Sequence, residues 1–225
     1  MKDERGALVP DSATFARALD ALKRDGSNIL LVGEETEAAH ETVCQRLFGP
    51  PERESVYRLQ VSGKGTRVAC ESACHAPEAN WIRTIEYSDL VTEPGADPTV
   101  RGGPESPREL GIELVEAVDE LAGAADGFEP AELRVCVDSL VPLCREYGIE
   151  TVFRLLHLAT SRVDRARGMG HFHVPIASDH DVVSLIEPLF DAVVTVRSRD
   201  GIAEQRWSLR DPALSTDWLE LSHPD

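Results

Sequence analysis

Gly33 is the first residue whose position suggests chemistry. It ends the apolar run Ile29-Leu30-Leu31-Val32, and Ala38, Ala39, Val43, Leu47 and Phe48 then recur at helical spacing until Gly49-Pro50-Pro51. A buried strand, a turn and a helix N-terminus, in that order, form the layout that cradles phosphate on backbone N–H groups in the pattern GxxxxGK[ST]. With Gly33 as the first glycine, Ala38 falls at the second, Ala39 at the lysine and His40 at the hydroxyl, while Glu34, Glu35 and Glu37 fill the loop. The cation that would meet a phosphate is missing. Each carboxylate at contact range opposes a phosphate by about 1 to 4 kcal/mol, depending on the local dielectric. On these residues alone, the stretch reads as an ordinary strand-to-helix turn.

Other groupings offer other chemistry. Leu133-Arg134-Val135-Cys136-Val137-Asp138 reads as a strand closing on a carboxylate. His171 and His173 would share one face of a strand, because side chains alternate, and His180 follows soon after. With Asp138 beside them they would complete a His/carboxylate metal site. The plainer expectation is strand and cap histidines, and no metal or cofactor is assigned. Cys70-x3-Cys74-His75 lacks the second Cys/His pair that a structural zinc site needs. Ser62-Gly63-Lys64-Gly65-Thr66 has donors and a lysine, but no clear helix follows it, so a hairpin or loop is expected. Arg162, Arg165 and Arg167 close a long helix. There they complement its dipole, or meet an anion or acidic partner.

The elements that must position these residues follow from periodicity. Asp11 or Ser12 can cap a first helix with Phe15, Ala18, Leu19 and Leu22 on one face, and a second helix is expected over about 36–48. Val56 to Val61 alternates apolar and polar residues, as a half-buried strand does, and Trp81 to Tyr87 reads as another strand. Ser106-Pro107-Arg108-Glu109 is a helix start with a cap, a proline at the first position and a glutamate at the third. That helix buries Leu110, Leu114, Val118 and Leu121. A helix over about 148–165, a strand from Met169 to Pro175 and a Ser178-capped helix through Val182, Leu185, Ile186 and Leu189 come next. Asp191 to Arg197 pairs as a hairpin with Ile202 to Leu209 through Asp200-Gly201, and Leu214 to Leu221 adds an edge piece. Strands alternating with helices predict a three-layer α/β domain with a mainly parallel sheet.

Composition narrows the function classes. The 225 residues suit one domain, with residues 1–10 as a loose terminus and 93–107 as a Pro/Gly-rich loop. Five scattered cysteines argue against a disulfide framework. The net charge is −17 and the only lysines are Lys2, Lys23 and Lys64. Such a field disfavours nucleic-acid and anionic-membrane binding. It is similar to the acidic, lysine-poor composition of proteins from salt-accumulating halophilic archaea. No apolar run of about 18 residues exists to span a membrane. Met1-Lys2-Asp3-Glu4-Arg5 has no apolar segment behind it, so a cytoplasmic protein is expected.

In order and spacing, the strand and glycine at 29–33, the Arg134-to-Leu140 segment, Phe153 to Thr160 and Ile186 to Arg197 together resemble the RecA/KaiC-like P-loop ATPase superfamily. The likeness covers roughly residues 12–210 and is to haloarchaeal KaiC-like proteins that lack a working Walker A motif. The resemblance implies a RecA-like fold with Gly33 at the start of the phosphate loop and Asp138 as the Walker B acid, which in the family holds magnesium through water. It also implies a capacity to self-assemble, since relatives form rings or filaments. The family's lysine and hydroxyl do not carry over to Ala39 and His40. The family's catalytic acid after the next strand is also missing, since Val61 leads into Ser62-Gly63-Lys64-Gly65 with no acid until Glu71. The expectation is therefore a non-catalytic domain working through protein contacts, regulatory in role, with its partner unspecified. An atypical nucleotide binder or weak ATPase using Gly33, Lys64 and Asp138 is one alternative. A metal-dependent enzyme using His171, His173 and Asp138 is the other.

Overall fold

β1 (Ser27–Val32) is buried at every position, as an apolar run between two layers must be. The computed structural model describes residues 12–34, 37–49, 56–63, 81–87, 104–210 and 214–221. The loose terminus at 1–10, the Lys64 loop, the Cys70-x3-Cys74-His75 segment and most of the 93–107 loop lie outside these residues.

Around β1 the chain places α1 (Ser12–Asp25), α2 (Glu37–Phe48), β2 (Tyr57–Gly63), β3 (Ile82–Tyr87), α3 (Pro107–Ala125) and β4 (Leu133–Val137). Next come α4 (Val141–Tyr147), α5 (Ile149–Arg165), β5 (Met169–Val174) and α6 (Asp181–Ile186), which runs into a 3-10 turn at Glu187–Leu189. β6 (Ala192–Arg199), β7 (Ile202–Leu209), β8 (Leu214–Ser215) and β9 (Leu219–Glu220) complete the sheet. The strand order is β3-β2-β4-β5-β1-β6-β7-β8, with β9 also on β7. Every pairing from β3 through β6 is parallel, and those of β7 are antiparallel. Asp200 and Gly201 turn the β6–β7 hairpin with φ of 53° and 79°, the left-handed pair that a two-residue turn needs.

Helices cover both faces, giving a three-layer α/β architecture. On one face Leu30, Val32, Leu59, Val135 and Phe172 pack with Leu114, Val118, Leu156 and Val163 of α3 and α5. On the other, Ile29, Leu31, Val194 and Trp207 pack with Ala18 of α1 and Ala39 and Val43 of α2. α3 forms where its start signal sits. Ser106 caps it, its side chain accepts a hydrogen bond from the Glu109 backbone N–H, and the four expected leucine and valine positions are buried. Among the described residues no helix is long and apolar enough to cross a membrane.

Two expectations are corrected. β2 is not half-buried, because Arg58, Gln60 and Ser62 are buried along with Leu59 and Val61; the Arg58 guanidinium reaches the end of α2 rather than water. His180, not Ser178, caps α6, its Nδ1 accepting from the Val182 N–H at 3.1 Å, and Leu185 is 48% exposed. A further short helix, α4, forms over Val141–Tyr147 with Pro142 in its first turn.

Candidate functional site

Gly33, directly after β1, has both of its backbone polar groups engaged within the fold. Gly33 has a φ of 146°, and a Cβ there would stand 2.3 Å from the Val196 carbonyl oxygen of β6. Glycine is required because two strands' backbones approach. The Gly33 N–H donates to the Ile176 carbonyl at 3.0 Å, and the Gly33 carbonyl lies 3.0 Å from His40 Nε2. His40, in the first turn of α2, is therefore turned back onto the glycine that follows β1. Asp138 follows β4, is buried, and donates its backbone N–H to Val61 at 2.8 Å. Gly33 and Asp138 share the C-terminal edge of the sheet, with β5 lying between their strands.

β5 carries the histidines. Phe172 and Val174 face the α3/α5 core, so alternation turns His171 and His173 toward α2. In register, Cys136 of β4 stands beside His171. On α2, His40 and Cys44 are four residues apart and so share one helical face. These elements bring together Cys44, Cys136, His171 and His173, each no more than 2% exposed, with one ligand-type atom from each within 4.8 Å of all the others. Cys44 Sγ lies 3.7 Å from Cys136 Sγ and 3.2 Å from His171 Nε2. His40 Nδ1 lies 3.2 Å from His173 Nδ1. His173 Nε2 is buried with no hydrogen-bond partner among the described residues.

Burial sets the charge state. It pushes His171 down to about 3, with the Arg134 guanidinium adding to the effect. His173 is driven well below the usual histidine range by burial, then by its neighbours His171 and His40. Burial lowers His40 as well, against the opposing hydrogen bond to Gly33. All three rings are neutral near pH 7.

Two buried arginines complete the setting. Arg134 Nη1 donates to the Leu47 carbonyl at 3.0 Å, and the Arg58 guanidinium donates to the Phe48 and Gly49 carbonyls at 3.4 and 3.5 Å. They satisfy carbonyls that the end of α2 leaves open, where the helix dipole favours positive charge.

The sequence grouping of His171, His173 and Asp138 is thus redrawn: the two histidines do come together, but with Cys44 and Cys136 as the neighbouring ligand types. The missed signals were the His40-x3-Cys44 spacing on one helical face and the Arg134/Cys136 alternation in β4, which sets two non-aliphatic positions on the face that His171 shares. A groove of about 460 Å³ between β3 and α3 lies elsewhere and is lined by Glu109, Glu113, Glu116 and Glu120 beside Arg83. Its acidic wall repels anions.

The fold and site define a class: a three-layer α/β domain whose strand–turn–helix unit is closed by its own histidine and backed by a buried Cys/His cluster. The profile of DUF7504, a family of unknown function, matches residues 26–196, and the chain belongs to that family. The matched span runs from just before β1 into β6 and includes Gly33, His40, Cys44, Cys136, Asp138, His171 and His173. No curated protein matches the sequence.

Proposed function

We propose that the chain is a non-catalytic RecA/KaiC-like domain that works through protein contacts in a regulatory role, in the cytoplasm of a salt-adapted cell. The observation that carries this reading is the occupied turn at Gly33. A phosphate loop presents its amides and a cation to the ligand. Here the Gly33 N–H is used by Ile176 and the imidazole at position 40 holds the Gly33 carbonyl. The β1–Gly33–α2 order and Asp138 at the end of β4 support the likeness of fold. Exposed Ile112 and Leu158 sit on the packed helices α3 and α5, where the Leu158 side chain closes over Gly111, and offer apolar surface to a protein partner.

Melting with and without millimolar Mg-ATP, Mg-ADP or Mg-GTP in molar potassium chloride tests the reading. A native-state ligand at a hundredfold excess over its Kd adds about 2.7 kcal/mol, several degrees of melting temperature in a chain this long. No shift is expected. A clear shift would restore the nucleotide-binding alternative and direct attention to Lys64 and Asp138.

A further inference from the structure

The buried Cys/His cluster is not accounted for by the contacts of Gly33. A core that only needed filling would carry on beneath His40 and Cys44 the apolar packing that Ala39 and Val43 of α2 make with Ile29, Leu31 and Val194. Instead two thiols and two imidazoles converge from a helix and two strands that are remote in sequence, with no water-facing side. We infer that Cys44, Cys136, His171 and His173 form a closed structural site for one tetrahedral transition-metal ion, zinc by the chemistry of its donors, which clamps α2 to β4 and β5.

Donor type and spacing carry the inference. Two sulfurs and two imidazole nitrogens in a tetrahedral set select zinc among divalent ions. With Zn–S near 2.3 Å and Zn–N near 2.05 Å, tetrahedral edges are about 3.8 Å between sulfurs and about 3.6 Å between sulfur and nitrogen. The observed 3.7 Å between Cys44 and Cys136 Sγ already matches, and the 3.2 Å from Cys44 Sγ to His171 Nε2 needs only a small opening. Charge also closes. Both thiols lose their protons to solvent on binding, and two thiolates with one divalent cation leave a neutral group, which suits complete burial. All four ligands are protein side chains and all are buried, so no coordination position is left for a substrate, as befits a structural rather than a catalytic site.

The hydrogen-bond chain behind His173 supports the same assignment. The Gly33 carbonyl can only accept, so His40 Nε2 carries the hydrogen between them. In the neutral ring, His40 Nδ1 is then a bare lone pair, and His173 Nδ1 must donate to it across 3.2 Å. That fixes the His173 tautomer and leaves Nε2 as an unprotonated lone pair, the one buried ring nitrogen of the trio with no partner among the described residues. A metal ligand whose other ring nitrogen donates to a neighbouring acceptor is the usual outer arrangement of metal-bound histidine. His40 and the Gly33 carbonyl act here as positioning groups.

The test uses the full chain, purified reduced in molar potassium chloride without chelator and then stripped of metal. Expected are one equivalent of zinc by elemental analysis and native mass spectrometry, and a higher melting temperature on adding Zn²⁺ alone. Substituting Co²⁺ should give a tetrahedral cobalt spectrum with a thiolate charge-transfer band. Cys44→Ser with Cys136→Ser should abolish that band, while Cys144→Ser and the pair Cys70→Ser, Cys74→Ser leave it intact. Should the double variant fail to fold, His40→Ala serves instead: it should keep the stoichiometry and the thiolate band while weakening zinc about 10- to 100-fold against a competing chelator. The inference is overturned by stripped wild-type protein that takes up no zinc, or by cobalt binding without a thiolate band, which would mark surface carboxylates. It is equally overturned by uptake that depends on Cys70 and Cys74 instead, by a metal-free Cys44–Cys136 disulfide in the protein as isolated, or by zinc affinity unchanged in His40→Ala.

Discussion

Gly33→Ala separates a glycine kept for phosphate from a glycine kept for packing. The added methyl would stand 2.3 Å from the Val196 carbonyl oxygen and 2.7 Å from Val196 Cγ2, and the backbone would be held at a φ of 146°. Holding an L-residue in a region reserved for glycine costs about 1–3 kcal/mol. Pushing a packed backbone aside costs about 1–3 kcal/mol more. The sum of about 2–6 kcal/mol is a large share of the 5–15 kcal/mol that typically holds a domain together. At about 2–4 °C per kcal/mol for a chain of this length, the melting temperature should fall by about 4–24 °C. Far-UV circular dichroism melts in molar potassium chloride measure this directly. Gly127→Ala provides the control, since Gly127 also has a left-handed φ, 97°, but nothing within 4 Å of an added Cβ. It isolates backbone strain and should fall by less. If Gly33→Ala melts within about 2 °C of wild type, or no lower than Gly127→Ala, the close approach to β6 does not explain the glycine.

Three further outcomes follow from charge. The chain should melt higher in molar potassium chloride than in dilute buffer, because 40 acidic residues face 23 basic ones and the Debye length shrinks from about 10 Å at 0.1 M to about 3 Å at 1 M. An equal or lower value in molar salt would sink the salt-adapted reading. Asp164→Asn should raise the melting temperature at pH 7. Burial and then Asp191 push the Asp164 carboxyl above its ordinary range, against the hydrogen bond from Asn28, so its ionised form costs native stability. The native state takes up this proton before the unfolded chain does. Wild-type stability from this group therefore rises as pH falls through the raised pKa toward the unfolded value, and the variant's advantage should fade over that window. A constant advantage, or a loss at pH 7, would refute the assignment. Arg134→Met should cost about 1–3 kcal/mol by stripping the Leu47 carbonyl of its donor. Hydrogen exchange should quicken in the last turn of α2 and not in α5; uniform quickening would count against a cap.

Much of the frame was legible because local signals act over a few residues. Ser106-Pro107-x-Glu109 started α3 as its chemistry requires, Asp200-Gly201 turned the hairpin, and the apolar run before Gly33 became a fully buried strand. The Cys/His cluster was not legible as a set. Cys44 is 92 residues from Cys136 and 127 from His171, and only the sheet order β4-β5-β1 with α2 laid across it brings them together. Period-two alternation put His171 and His173 on one face, but said nothing of what covered that face. The same blindness made Arg58 and Gln60 look like solvent positions. Alternation in sequence marks two different surroundings, and here both are interior, one apolar and one polar.

The two arginines under the end of α2 act as an index stop. Apolar surfaces slide past one another at little cost because their attraction is non-directional. A guanidinium fork meets a carbonyl only where that carbonyl is open, and the Leu47, Phe48 and Gly49 carbonyls are open only because the helix ends there. One residue inserted inside α2 would turn everything on one side of it by about 100° and shift it by about 1.5 Å. Either His40 and Cys44 would leave the sheet or the final carbonyls would leave Arg58 and Arg134. The span from Gly33 to Gly49 should therefore tolerate changes of residue far better than any change of length.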